Sequence, residues 1–312
     1  MKVFIAGHKG LVGSSLVRKL PNSHRIITVN KTDLDLTNKQ ETEKFLNFHK
    51  PDAVIIAAAL VGGILANSRF QSRFLTLNLE IQNSLINASV RQGVNNLIFL
   101  GSSCIYPKFA NQPIVEESLL TGPLEETNEA YALAKIAGLK LCEALATEFG
   151  LNYFSLMPTN LYGPNDNFNL NSSHVPAALI RRFHEAKLSN KNEVVVWGSG
   201  MPLREFMHVD DLASACWFLL EGQHGGSLLN VGSGIEITIA DFAKLVAKVI
   251  GYEGELIFDK SKPDGTPRKL MDSSKINNLG WRASIGLEQG LTDTYSWFVE
   301  ALKKGEVRGI ET

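Results

Sequence analysis

Cysteine is scarce in this chain, and so is net charge. Its three cysteines, Cys104, Cys142 and Cys216, supply neither a disulfide framework nor the paired spacing of a zinc site, so a reducing compartment is the natural setting. Lys and Arg number 31 against 32 Asp and Glu, a net charge of −1. That balance argues against a general binder of nucleic acid or anionic membrane. Long hydrophobic runs are missing too. The longest, Ala53 to Ala66, is too short and too glycine-broken to span a bilayer. Near the start, glycines and Lys9 interrupt any signal-peptide core. There is no internal repeat and no low-complexity tract. What is left is the expectation of a cytoplasmic protein, long enough at 312 residues for one large or two modest domains.

The chain opens on an apolar strand, Lys2 to Ala6, followed by Gly7-His8-Lys9-Gly10-Leu11-Val12-Gly13 and a helix from Ser14 to Leu20. Strand, glycine turn and helix in that order form a dinucleotide-binding context. The glycines let the backbone approach a pyrophosphate, which rests on the positive end of the helix. The second strand, Arg25 to Val29, ends in Asn30-Lys31-Thr32. An NAD site usually has an acid near this point for the ribose hydroxyls. Here Lys31 and Lys9 stand instead, which favours the 2′-phosphate of NADP. The alternative leaves both lysines as solvated charge, with Asp33 or Asp35 reaching the ribose.

Helices at Asn38 to His49 and Arg69 to Val90 alternate with strands at Ala53 to Ile56 and around Leu97. This predicts an α/β fold with a Rossmann-type doubly wound parallel sheet. A long helix runs from Tyr131 to Phe149, apolar nearly all round, then a strand from Tyr153 to Met157. One helix face covers the sheet; the other needs a helix of a second copy or cover from the chain itself. After Pro158 the pattern changes. A polar loop, Asn165 to Ser173, precedes a helix from Val175 to Lys187. Strands come next at Val194 to Trp197 and Arg204 to Val209, then a helix to Glu221 with Asp210 or Asp211 as its cap. A strand at Leu228 to Val231, a helix at Ile239 to Ile250, a cationic loop at 262–269 and a closing helix at Leu287 to Lys304 complete the chain. The division expected is 1–163 with 206–234 as cofactor domain, and 164–205 with 235–312 as a smaller substrate domain.

Chemistry concentrates after the Leu97 strand, in Leu100-Gly101-Ser102-Ser103-Cys104-Ile105-Tyr106-Pro107. A buried parallel strand delivers the residues after it to the carboxyl edge of the sheet, where such folds bind ligands. Tyr131 and Lys135 are four apart and share a helical face. An ammonium beside a phenol is expected to lower the phenol's pKa. Ser102, Tyr131 and Lys135 therefore make a proton-transfer set.

On these residues the chain resembles the extended short-chain dehydrogenase/reductases. The strings GHKGLVG, AAALVGGILAN, LGSSCIYPK, YALAKIAG, MPTNLYGP, VVVWGSGMPLREFMHVDD and KPDGTPRKL are, within that family, similar to those of the GDP-L-fucose synthases. The resemblance implies NADPH, a GDP-sugar substrate, inversion of C3 and C5 next to a C4 ketone, and reduction at C4. It also implies roles. Cys104 becomes the epimerisation base and His174 the acid, beside Ser102, Tyr131 and Lys135. Leu100, Gly101, Pro158, Asn160, Leu161 and His174 join the glycine loop, Lys31, Ser102 and Lys135 around the cofactor. Arg182, Trp197, Arg204, Asp264, Arg268 and Lys269 fall at the substrate. The pair Asp-Glu that nucleotide-sugar 4,6-dehydratases carry after the catalytic turn is missing, which argues against dehydration. A homodimer is expected. Two alternatives stay open: a GDP-L-colitose synthase acting on a 3,6-dideoxy sugar, and a non-catalytic NADPH-binding regulator.

Overall fold

A computed structural model describes residues 1–170, 172–222, 224, 226–262 and 264–310, with backbone alone for Ile64 and Leu65. Asn171, in the polar loop, and Pro263, in the cationic loop, lie outside the described residues.

The first half alternates as expected: β1 (Lys2–Ala6), α1 (Leu11–Arg18), β2 (Arg25–Ile27), α2 (Lys39–His49), β3 (Ala53–Ile56), α3 (Ile64–Arg69), α4 (Gln71–Arg91), β4 (Asn96–Leu100), α5 (Glu129–Phe149) and β5 (Asn152–Pro158). Two boundaries differ from expectation. The second strand stops at Ile27, short of Val29. The helix expected over 69–90 is α4, and a short helix not expected, α3, precedes it, the two separated where Phe70 leaves helical geometry at φ −123° and ψ 39°. Asn38 caps α2, its side chain accepting from Gln40 N and Glu41 N.

The second half brings β6 (Asn160–Tyr162), α6 (Val175–Leu188), β7 (Glu193–Trp197), β8 (Leu203–His208), α7 (Val209–Glu221), β9 (Leu228–Val231), β10 (Glu236–Thr238), α8 (Ile239–Ile250), β11 (Glu255–Asp259), β12 (Arg268–Lys269), α9 (Ser274–Leu279) and α10 (Leu287–Lys303). The cap of α7 is neither Asp210 nor Asp211. It is His208, whose Nδ1 accepts from Asp210 N. The two acids serve elsewhere. Asp210 holds Arg18 and Ser15 of α1, and Asp211 accepts from Ser284 N and Ile285 N. The cationic loop at 262–269 ends in a short strand, β12, because it pairs in parallel with β8.

The main sheet is parallel throughout, in the order β2-β1-β3-β4-β5-β9. The chain reverses direction across the sheet between β1 and β3, which opens a crevice at their carboxyl ends. Two apolar clusters cover the two faces, one built on Leu16, Leu212 and Trp217, the other on Leu85, Phe99 and Leu139. A third, on Phe168, Phe183, Phe206, Phe242 and Phe298, belongs to the smaller C-terminal layer. Among the described residues no helix is long and apolar enough to cross a membrane.

Helices α4 and α5 meet at Gly138, where a Cβ would stand 2.6 Å from Phe99 Cζ and 2.8 Å from Gln82 Cδ. Gln82 also donates to Ala134 O across this contact, at 2.6 Å. In Gly138→Ala the helix-propensity gain is at most about 1 kcal/mol, while overpacking a filled core typically costs about 1–3 kcal/mol. We expect a net loss, read as a lower urea midpoint with unchanged slope; an unchanged or raised midpoint would show that the contact yields.

Candidate active site

The glycine turn after β1 fits a dinucleotide. Gly7 has φ +89°, and a Cβ there would stand 2.7 Å from Ala58 N in the loop after β3. At Gly13 a Cβ would stand 2.1 Å from Gly7 O. These two glycines are required by packing. Gly10 is different: its φ is −78° and its Cβ would meet only Gly7 O, at 3.4 Å. The fold would accept a side chain at Gly10, so the glycine serves to keep the α1 N-terminus clear. No side chain caps that terminus. Its N–H groups and helix dipole are free to meet a pyrophosphate.

Beyond β2, Lys9 and Lys31 are exposed. Both nearby acids are engaged in their own loop. Asp33 accepts from Asn30 Nδ2 at 3.1 Å, and Asp35 from Thr37 N and Oγ1 at 3.0 and 2.9 Å. This leaves two cations and no free acid at the adenosine end. His8, Leu11 and Val12 are half-buried around the turn.

Strand β4 ends at Leu100, and Gly101 N continues the ladder to Leu156 O at 2.9 Å. A side chain at Gly101 would displace the end of Met157, whose Cε stands 2.1 Å from where a Cβ would be. Ser102 then opens one turn of 3-10 helix, its hydroxyl accepting from Cys104 N at 3.3 Å. Lys135, 3% exposed, donates to Leu100 O at 2.8 Å. Its ammonium lies 4.8 Å from the Phe99 ring centre and 5.8 Å from that of Tyr131. Tyr131 packs edge-on against Phe74.

Charge here is governed by burial. Desolvation brings Lys135 down to about 8, opposed by Cys104. The Cys104 thiol is pushed up by burial, against the pull of Lys269, the Ser102 hydroxyl and Lys135. Lys269 is itself depressed by burial, with Cys104 acting in the other direction. The thiol therefore feels the charge of two ammonium groups, Lys269 more than Lys135. Each of the three resists carrying charge alone, and a thiolate would compensate both lysines. Tyr131 corrects an expectation: its pKa is raised, by burial first and by Cys104 second, not lowered by Lys135. The phenol holds its proton.

His174 comes from a different segment of the chain. It is exposed and precedes α6, and its side chain makes no hydrogen bond among the described residues. Its loop is tied to the segment after β3 through Gly63 N to Ser172 O, at 3.2 Å. Asp166, for which the sequence carries no signal, is 5% exposed and feels the His174 charge. Pro158 is buried, and Asn160 donates its side-chain amide to Glu205 O at 2.8 Å; Leu161 is half-buried beside it in β6.

On the C-terminal side, Trp197 is 49% exposed, with the Arg182 guanidinium 5.1 Å and the Lys262 ammonium 5.7 Å from its ring centre. Nothing in the sequence separates Lys262 from a solvated lysine. Asp264 accepts from Ser199 N and Oγ, at 2.6 and 2.8 Å, and closes the loop over Gly198. Arg204 and Lys269 are register partners across β8 and β12. Arg268 does not offer the free fork expected of a diphosphate ligand: Nε and Nη2 both donate to Glu236, each at 2.8 Å. That leaves Arg182 and Arg204 as the guanidinium groups of this region.

The sequence matches the NAD dependent epimerase/dehydratase family over residues 3–232. This chain belongs to that family. Within the family it is 56% identical over 301 residues to the putative GDP-L-fucose synthase 2 of Arabidopsis thaliana, covering 96% of this chain and 92% of that one. It is 50% identical over 310 residues to the GDP-L-fucose synthase of Escherichia coli, covering 96% and 97%. A GDP-L-colitose synthase of Yersinia pseudotuberculosis is 38% identical over 302 residues, covering 96% and 98%. Among solved structures, a GDP-L-fucose synthetase from Naegleria fowleri bound to NADP superposes with a TM-score of 0.89 at 28% identity, covering 98% of this chain and 94% of that one. A second structure of a GDP-L-fucose synthetase from that organism superposes at 0.87 and 27% identity, covering 98% and 95%.

The Lys135 environment can be read directly. In NMR of isotope-labelled lysine side chains, one resonance should titrate near pH 8 in the cofactor-free protein and vanish in Lys135→Met. Titration of that resonance near the ordinary value of about 10.4 would show that the ammonium is hydrated.

Proposed function

We propose that this chain converts GDP-4-keto-6-deoxy-D-mannose to GDP-L-fucose, inverting C3 and C5 and then reducing C4. The observation that carries the reading is the thiol of Cys104 in the same pocket as Ser102, Tyr131 and Lys135. A simple ketone reductase needs a proton donor and a carbonyl partner. A second, separately ionisable group beside them suits a reaction that also moves protons on carbon. The 56% and 50% identities to GDP-L-fucose synthases, against 38% to the colitose enzyme, favour the 6-deoxy over the 3,6-dideoxy substrate.

The C4 ketone acidifies the protons on C3 and C5, so inversion needs a base on one face and an acid on the other. Cys104 as thiolate takes the proton, and His174 returns one from the opposite face. Ser102 hydrogen-bonds the C4 oxygen as it gains charge. NADPH, when bound, supplies the hydride for C4. Tyr131 gives its proton to the C4 oxygen, and Lys135 supports the donor and the nicotinamide ribose. Arg182, Trp197 and Arg204, with Lys269 and Asp264, receive the GDP end, where guanidinium forks suit a diphosphate. In this reading 1–163 and 206–234 hold the cofactor, while 164–205 and 235–312 hold the GDP-sugar. The enzyme works in the cytoplasm as a homodimer. Leu133 and Phe149, exposed on α5, offer the apolar surface for a second copy.

NADPH oxidation that depends on GDP-4-keto-6-deoxy-D-mannose, with identification of the product sugar, tests the reading; a 3,6-dideoxy preference or no turnover would overturn it. The unmodified protein should prefer NADPH to NADH. Lys31→Asp should shrink that preference by weakening the 2′-phosphate site, and equal use of both cofactors by the parent would refute the assignment of Lys9 and Lys31.

The two half-reactions should separate. Tyr131→Phe should lower reduction by a factor on the order of 100 to 10,000 while still taking up deuterium at C3 and C5 from heavy water. Cys104→Ser and His174→Gln should do the opposite, with uptake stopped or halted part-way. The assay uses oxidised cofactor or none, so that the ketone persists. Undiminished uptake in both of the latter variants would assign the proton transfers to other groups.

A further inference from the structure

Glu205 is fully buried, at 0% exposure, and no cation pairs with it among the described residues. A carboxylate in that position needs compensation from elsewhere. It comes mainly from backbone, with the Ser233 hydroxyl donating more distantly to Oε1 at 3.5 Å. Oε1 accepts from Gly234 N at 2.7 Å, just after β9, and Oε2 accepts from Met271 N at 3.0 Å, just after β12. Space has been cleared for it: at Gly232 a Cβ would stand 2.3 Å from Oε1. The main-chain carbonyl of the same residue accepts from Thr159 Oγ1 at 3.2 Å and Asn160 Nδ2 at 2.8 Å, after β5. Three segments thus converge on one residue of β8.

β8 itself and one of those segments, that of β12, carry groups proposed for the substrate. Arg204 precedes Glu205 in β8, and its register partner in β12 is Lys269. Met271, gripped by Oε2, is two residues beyond Lys269, and β12 is only two residues long. The strand is also held by Arg268 on Glu236 and by Leu270 and Asp272 pairing with Gln112 and Ile114, and the grip on Met271 N adds an anchor that ties this segment to the residue beside Arg204. Lys269 is also the strongest of the charges that draw the Cys104 thiol toward ionisation.

We propose that Glu205 is a positioning residue for the reaction, its carboxylate setting where Arg204 and Lys269 stand relative to the substrate and Cys104. This role rests on the conversion of the keto sugar to GDP-L-fucose proposed for the site. A carboxylate is needed, not merely a polar side chain of that size. Both oxygens face N–H donors, and an amide would turn a donor toward one of them, leaving a buried N–H unpaired.

The test compares Glu205→Gln with Gly232→Ala, which crowds the carboxylate without changing its charge. Free GDP, NADPH and the keto sugar are the probes. In Glu205→Gln the KM for the keto sugar and the dissociation constant for GDP should rise about tenfold or more, and deuterium uptake at C3 and C5 should fall. NADPH affinity should stay within about twofold, and the protein should still melt cooperatively. Gly232→Ala should shift the same quantities the same way, less far. Unchanged KM and uptake would overturn the proposal. So would parallel loss of NADPH binding, or failure of both variants to fold, since the carboxylate would then support the scaffold at large. If the parent protein does not turn over the keto sugar, the functional reading fails, and GDP affinity alone decides the role of Glu205.

Discussion

The hydrogen bond from Lys135 to Leu100 O ties the helix that brings Tyr131 to the strand that brings Ser102 and Cys104. Burying an ammonium is costly, and it is tolerated where a carbonyl and aromatic faces receive it. Leu100 O, the Phe99 ring and the Tyr131 ring do so here. The carbonyl is available because β4 ends at this point. The bond therefore exists only while the sheet edge, the Ser102 turn and α5 keep their mutual register. Gly138, one turn further along α5, permits the close approach that the register demands.

Around this tie the pocket is arranged by opposed tendencies. Burial holds Tyr131 and Cys104 in their neutral forms and pulls Lys135 toward its own. A protonated phenol is the form that donates; a neutral thiol is not the form that abstracts. In the proposed reaction the base is made during turnover, when a charge change at one member is met by another. Lys269 and Lys135, whose charges both favour the thiolate, are the groups proposed to supply that response.

Much of this is legible in the sequence. The glycine turn, the Ser102 turn and the Tyr131/Lys135 spacing are local patterns, and local patterns survive without coordinates. The doubly wound sheet emerges from alternation alone. The features that escape are set by pairing between distant segments. β6, β10 and β12 are two or three residues long, so their composition carries no period. Asp210 sits where a cap belongs, yet Arg18 and Ser15 of α1 claim it and His208 takes the cap. Arg268 looks like a free fork until Glu236 is placed beside it. Spacing misleads at Tyr131 because it reports a neighbour and not the solvent lost around it; burial first and Cys104 second raise the phenol's pKa.

Epimerisation and reduction share one requirement, an electron-rich C4 oxygen held in place. When a proton leaves C3 or C5, charge moves onto that oxygen, and when hydride arrives at C4 it moves there again. Ser102 and Tyr131 serve both events only if the phenol keeps its proton through the first and yields it in the second. A phenol with a lowered pKa would give its proton up early and leave none for reduction. The raised pKa of Tyr131 suits the proposed two-stage reaction, in which early proton transfer is assigned to Cys104. Reduction removes the ketone and with it the acidity of C3 and C5, so inversion has to come first. The order of the chemistry is dictated by the ketone, and the pocket has only to keep its two proton-bearing groups distinct.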